Sequence, residues 1–197
     1  SGALAAFFGT LAVFAGDYRQ ALLWMFGATV VDATDGWLAR RVRVKEKLPD
    51  FDGARLDDIV DYLTFVFLPA LFLHESGALP AGWSAGIASV VLLSSAYGFA
   101  RDDAKTSDHF FSGFPSYWNI VALYLHIAAL PPAWNAVIVL VLCILVFWRV
   151  GYVYPSRTPV LRAMTLVLAV VWSVVVVAMI LALPRVPAAL FAASFLF

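Results

Sequence analysis

Charge is what this 197-residue chain has least of. Lys, Arg, Asp and Glu make up 13% of it and cancel to a formal net charge of zero. A soluble domain carries about a quarter. No global field of one sign exists to attract nucleic acid, so that class of partner is excluded. Cysteine is reduced to Cys143, which excludes an internal disulfide and reads as a small apolar side chain in a helix. There is no low-complexity segment. What is plentiful is hydrocarbon: 63% of the residues are hydrophobic, against about half in a soluble domain. Most of the surface must therefore face lipid, which predicts an all-α integral membrane protein.

Apolar runs of spanning length, separated by polar or Pro/Gly breaks, predict about eight transmembrane helices. They fall near 2–16, 18–42, 54–76, 81–101, 116–130, 132–153, 159–183 and 186–197, the last one short. The opening "SGALAAFFGTLAVFAG" has no basic flank and reads as most of a first span rather than a signal peptide. A single domain over 1–197 is the simplest organisation.

The few cations are unevenly placed. Arg40, Arg41, Arg43, Lys45, Lys47 and Arg55 lie beside the second connection, Arg101 and Lys105 beside the fourth, and Arg149, Arg157 and Arg162 around the sixth. Only Arg19 and Arg185 fall on the other side. This bias puts the even-numbered connections, and both ends of an eight-span chain, in the cytoplasm.

One of those connections is dense in acid. "DATDGWLARRVRVKEKLPDFDGARLDDIVD", residues 32 to 61, holds seven aspartates: Asp32, Asp35, Asp50, Asp52, Asp57, Asp58 and Asp61. Carboxylates near lipid need a partner or a purpose. On a helix, Asp32, Asp35, Gly36, Ala39 and Arg40 fall within an arc of about 140°. Gly53, Asp57 and Asp61 follow at i+4 steps and share a face too, while Asp58 lies about 100° away. Asp32 would lie ~12 Å deeper than Arg40, in a polar pit open to the cytoplasm. Clustered carboxylates cannot all ionise without cations. Their hard oxygens suit Mg²⁺, Mn²⁺ or Ca²⁺, and four acids suit two ions that clamp a phosphoryl displacement. Gly36 and Ala39 leave the helix bare for a nucleotide, and the Arg40 fork fits a phosphate. The plainer alternative is a salt-bridge network with Arg40, Arg41 and Arg55.

The pattern D-x-x-D-G-x-x-A-R … G-x-x-x-D-x-x-x-D, filled by Asp32, Asp35, Gly36, Ala39, Arg40, Gly53, Asp57 and Asp61, resembles the signature of the CDP-alcohol phosphatidyltransferases. The resemblance implies a six-helix membrane core, a homodimer, and two divalent metal ions, Mg²⁺ or Mn²⁺. It implies transfer of a phosphatidyl or similar group from a CDP-linked donor to an alcohol. By the same resemblance, Asp32, Asp35, Asp57 and Asp61 ligate metal, and Asp61 is also the base for the acceptor hydroxyl. Asp32, Gly36, Ala39, Arg40, Gly53 and Asp57 contact the CDP moiety. Twelve residues, Arg41 to Asp52, separate the motif halves, more than in most of the family. That spacing, with "FDGARLDDIVDYLTFVFLPALFL" and "AKTSDHFFSGFPSYWNIVALYL", is similar to the bacterial phosphatidylcholine synthase branch. The branch implies CDP-diacylglycerol and choline as substrates, CMP as product, and a multi-pass enzyme of the bacterial inner membrane. "RDDAK" with the following F.G.PS also resembles the phosphatidylserine synthases.

Choline's quaternary ammonium has no N–H to donate and is held by aromatic faces. Tyr62, which follows the base, and Tyr117 and Trp118 in "HFFSGFPSYWN" are the candidates, although aromatic belts are common at helix ends. Lys105, Arg149 and Arg157 could reach lipid phosphate or merely headgroups. A divalent-cation transporter would repeat its acids in two halves. A prenyltransferase would set its two acidic motifs on well-separated helices, and a structural scaffold would not interleave Gly and Ala among the acids.

Overall fold

The computed structural model describes residues 2–43, 47–48, 50–101, 110–148, 151–153 and 162–196. Helix α1 (Gly2–Phe14) turns at Gly16 into α2 (Tyr18–Arg41). The Asp17 carboxylate accepts the Gln20 N–H at 3.0 Å and so caps α2. Next, α3 (Gly53–Asp61) leads through a π-helical turn (Tyr62–Phe67) into α4 (Leu68–Glu75). Then come α5 (Ser84–Phe99), strand β1 (Phe110–Ser112), α6 (Trp118–Ala128) and α7 (Pro132–Phe147). Strand β2 (Gly151–Val153), α8 (Arg162–Leu181) and α9 (Ala188–Ala193) complete the order.

The π turn and α4 form the axis of the packing, touching α1, α2, α5 and α6. Val66, Leu68, Phe72 and Leu73 on this axis are fully buried, with Leu22 and Met25 of α2, Val91 of α5 and Val139 of α7 around them. Close approach of α1 depends on small residues: a Cβ at Gly9 would stand 2.5 Å from Leu68 Cδ2, and one at Gly2 would stand 2.5 Å from Val60 Cγ1. Helix α3 carries no buried residue. The helix that starts with Gly53 therefore enters the core only after Asp61.

The predicted spans agree with the helices, with two differences. The run at 132–153 is not one helix: α7 stops at Phe147, Trp148 is extended, and Gly151–Val153 pairs antiparallel with Phe110–Ser112. The all-helical expectation is thus amended by a short ribbon, in register Phe110↔Val153, Phe111↔Tyr152 and Ser112↔Gly151. The second difference is the π turn, whose cause is argued below. By length and composition, one helix among the described residues can cross a membrane, through its window Met164–Leu181. The apolar helices α1, α5, α6 and α7 are shorter.

Candidate metal and phosphate site

Two helices meet at the acids. Asp32 lies on α2, one turn beyond Thr29. The Thr29 hydroxyl accepts the Asn119 Nδ2 donor of α6 at 2.8 Å and donates to the Met25 carbonyl at 3.1 Å. Asn119 is buried, and its carbonyl oxygen accepts the Ile120 N–H. The buried amide thus fixes the register of α2 just below Asp32. Asp57 and Asp61 lie one turn apart on α3. That helix starts where the Asp52 carboxylate accepts the Arg55 N–H at 3.0 Å, an N-cap. Asp52 also pairs with Arg55 Nε at 3.7 Å on an exposed surface, which contributes little.

Asp32, Asp57 and Asp61 each present a carboxylate oxygen, and the three oxygens lie within 4.8 Å of one another. Asp32 and Asp61 are half-buried. Two unit charges 4 Å apart repel by about 4 kcal/mol at an effective dielectric of about 20. Three such pairs rival the whole stability of a domain, roughly 5–15 kcal/mol. The cluster therefore needs positive charge or bound protons. Asp35 is one turn further along α2, exposed, and outside the three-carboxylate group. Gly36, Ala39 and Arg40 continue along α2 towards its end at Arg41. Gly53 opens α3, and a Cβ there would meet nothing within 4 Å, so the space beside it is open. Asp58 is exposed on the same helix.

No family model matches the chain, but curated relatives do. A phosphatidylcholine synthase of Legionella bozemanae is 49% identical over 151 residues, covering 76% of this chain and 70% of that protein. The chain belongs to the phosphatidylcholine synthase family. The phosphatidylcholine synthase of Legionella pneumophila is 47% identical, with 80% of this chain and 62% of that protein covered. That of Pseudomonas aeruginosa is 38% identical, with 87% and 72% covered.

In this phosphatidylcholine synthase family member the aromatic candidates have different surroundings. The Tyr62 hydroxyl donates to the Leu92 carbonyl at 2.9 Å, and its ring meets Phe99 edge to face at 5.8 Å. Tyr117 is half-buried at the start of α6. Trp118 is wholly buried; its indole N–H donates to Ser95 Oγ at 2.8 Å, and Phe114 packs on its ring at 5.1 Å. The expected choline contact at Trp118 is corrected accordingly, since the ring offers no free face to a ligand. Ser116 also donates to Ser95 Oγ, at 3.0 Å. The sequence carries a weak signal for this buried polar knot and for Asn119 beside it: polar residues that interrupt an apolar run. Lys105, Arg149 and Arg157 lie outside the described residues.

Proposed function

We propose that the chain is a multi-pass CDP-alcohol phosphatidyltransferase of the bacterial inner membrane. It transfers the phosphatidyl group of CDP-diacylglycerol to choline and releases CMP. The observation that carries this is the convergence of Asp32, Asp57 and Asp61 from two helices to within 4.8 Å, in a member of the phosphatidylcholine synthase family. Membrane insertion is supported by large apolar side chains turned outward on several helices, among them Leu4, Phe7, Leu93, Ile144, Val170 and Val174. An acid site on the arginine-rich second connection faces the cytoplasm. A homodimer follows from the family resemblance.

The donor set is all hard oxygen and fits divalent ions such as Mg²⁺ or Mn²⁺. Asp32, Asp57 and Asp61 would hold one ion, and Asp35 would join them for a second. Bound there, the ions supply positive charge to the diphosphate and to the departing CMP. The chain's own residues do the rest. Bare backbone at Gly36, Ala39 and Gly53 admits the cytidine diphosphate, and Arg40 pairs with a phosphate. Asp61 takes the proton of the choline hydroxyl as general base. The choline oxygen then forms its bond to the phosphorus that bears diacylglycerol, while the bond from that phosphorus to the oxygen of CMP breaks. Tyr117 is the aromatic contact for the ammonium, and Lys105, Arg149 and Arg157 serve the lipid phosphate.

The test is headgroup competition with purified protein and CDP-diacylglycerol. Choline, serine, inositol and glycerol phosphate are offered separately, and the lipid product is identified. Phosphatidylcholine and CMP in equal amounts are expected. Product with serine and none with choline would overturn the choice of acceptor.

A further inference from the structure

The helix that carries Asp57 and Asp61 does not continue unchanged into the core. One residue after Asp61 its hydrogen bonding widens into the π turn Tyr62–Phe67, where the Leu68 N–H closes on the Leu63 carbonyl. Pro69 is the reason: it has no N–H to give, and its ring crowds the carbonyl four residues earlier, that of Phe65. A wide turn relieves the clash but has poorer hydrogen-bond geometry than an α-turn, and such turns recur at functional sites. Side chains around it must hold it in place.

Tyr62 is the side chain best placed to do so. Its hydroxyl reaches the Leu92 carbonyl of α5 at 2.9 Å, and its ring lies perpendicular to that of Phe99. The Thr64 hydroxyl bonds the Val60 carbonyl at 3.0 Å and splints the junction from within. Helix α3 buries none of its own residues. Apart from the close approach of Gly2 to Val60, its rotation about its axis is set where it leaves the core, at the π turn. We propose that Tyr62 is a positioning residue: by locking this turn against α5, it sets the rotation of α3 that brings Asp57 and Asp61 to Asp32. This rests on the carboxylates being a divalent-metal site, and it gives Tyr62 a role other than choline contact.

Tyr62→Phe keeps the ring and removes only the hydroxyl. Two readouts are taken on purified protein in detergent: binding of Mn²⁺ alone, from the free-ion electron paramagnetic resonance signal, and steady-state transfer to choline. Mn²⁺ affinity and kcat should each fall about tenfold, as when a support behind a metal ligand is removed. The KM for choline should change by less than about twofold, because no uniform binding contact is lost. Tyr18→Phe is the comparison. It deletes a similar bond, hydroxyl to the Glu75 carbonyl at 2.8 Å, roughly 20 Å along α2 from Asp32 at the rise of a helix. Its Mn²⁺ affinity and kcat should match the wild type. Phe99→Leu loosens the same anchor from the other partner, and is read in the same way if Tyr62→Phe fails to fold. Wild-type Mn²⁺ affinity and kcat in the variant would overturn the inference. So would a raised choline KM at unchanged Mn²⁺ affinity, which would make Tyr62 a substrate contact. A wild-type protein that binds no Mn²⁺ but still transfers phosphatidyl groups would remove the metal site itself, and the inference with it.

Discussion

Asp57 and Asp61 are one turn apart on a helix that buries nothing, so packing gives no account of them. Chemistry does. On the proposed metal reading, neutralising Asp57 or Asp32 removes a ligand but adds little strain at the edge of the bundle. Asp57→Asn and Asp32→Asn should fold normally and lose transfer by on the order of a thousandfold or more, the scale of losing charge stabilisation at a reacting centre. Full turnover in either variant, or in excess chelator, would refute the metal reading. Asp61→Asn should behave differently. On the proposed mechanism, removing the general base costs roughly 10²–10⁴-fold in kcat, and the remaining acids would still hold a divalent ion for the diphosphate of the donor. Donor binding close to the wild type with collapsed single-turnover transfer is the expected split. The spacing of these acids was legible in the sequence because a helix repeats every 3.6 residues. The supports behind them were not. The bond from Asn119 to Thr29 joins residues 90 positions apart, and no local pattern announces it.

The helices were legible as elements because the apolar runs are long and their breaks are strong: Gly16, Gly77, Pro131 and Pro132 stand at the turns where chain direction changes. The ribbon and the π turn were not. A three-residue strand such as Gly151–Val153 exists only by virtue of its distant partner, and the sequence reads smoothly as more helix. The ribbon connection has its own keystone. Gly113 follows β1 with φ +92, and a Cβ there would lie 2.5 Å from the Val146 carbonyl oxygen. Beside it the Phe114 N–H donates to the Leu145 carbonyl at 3.0 Å, and Arg101 donates to the Val146 carbonyl at 3.3 Å. The last carbonyls of α7, which have no partner within their helix, are thereby satisfied by the loop that leads into α6. Gly113→Ala should destabilise the fold by about 1–3 kcal/mol from backbone strain alone, read as a lowered midpoint of thermal unfolding in detergent. An unchanged midpoint would show that this loop is not fixed as described.

At the scale of the whole molecule, long-range bonds sort the helix ends into two groups. At one end the Tyr18 hydroxyl meets the Glu75 carbonyl, Arg19 meets the Leu183 carbonyl, and Asn135 donates to the Ala78 carbonyl at 2.9 Å. At the other, Arg101 meets the end of α7 and the ribbon joins the connections before α6 and after α7. These are the odd-numbered and even-numbered connections of an up-and-down bundle. By position in the sequence alone, eleven Lys and Arg residues fall beside the even-numbered connections and two beside the odd-numbered ones. On the proposed orientation the acids lie on the basic, cytoplasmic side, where the diphosphate of a lipid in the inner leaflet would reach them. The orientation is testable with the chain's own chemistry. Cys143 is its single cysteine and is buried, so Cys143→Ala clears the background at the modest cost of a small apolar replacement. Two exposed positions then carry reporters: Gly82→Cys, where an added side chain meets nothing within 4 Å, and Leu48→Cys, in the connection before the acids. A membrane-impermeant maleimide applied to intact spheroplasts should modify the cysteine at 82 at once, and the one at 48 only after the membrane is opened. The reverse pattern would place the carboxylate cluster outside the cytoplasm and remove the supply of its donor. Equal labelling of both before opening would show that the two ends are not separated by a membrane.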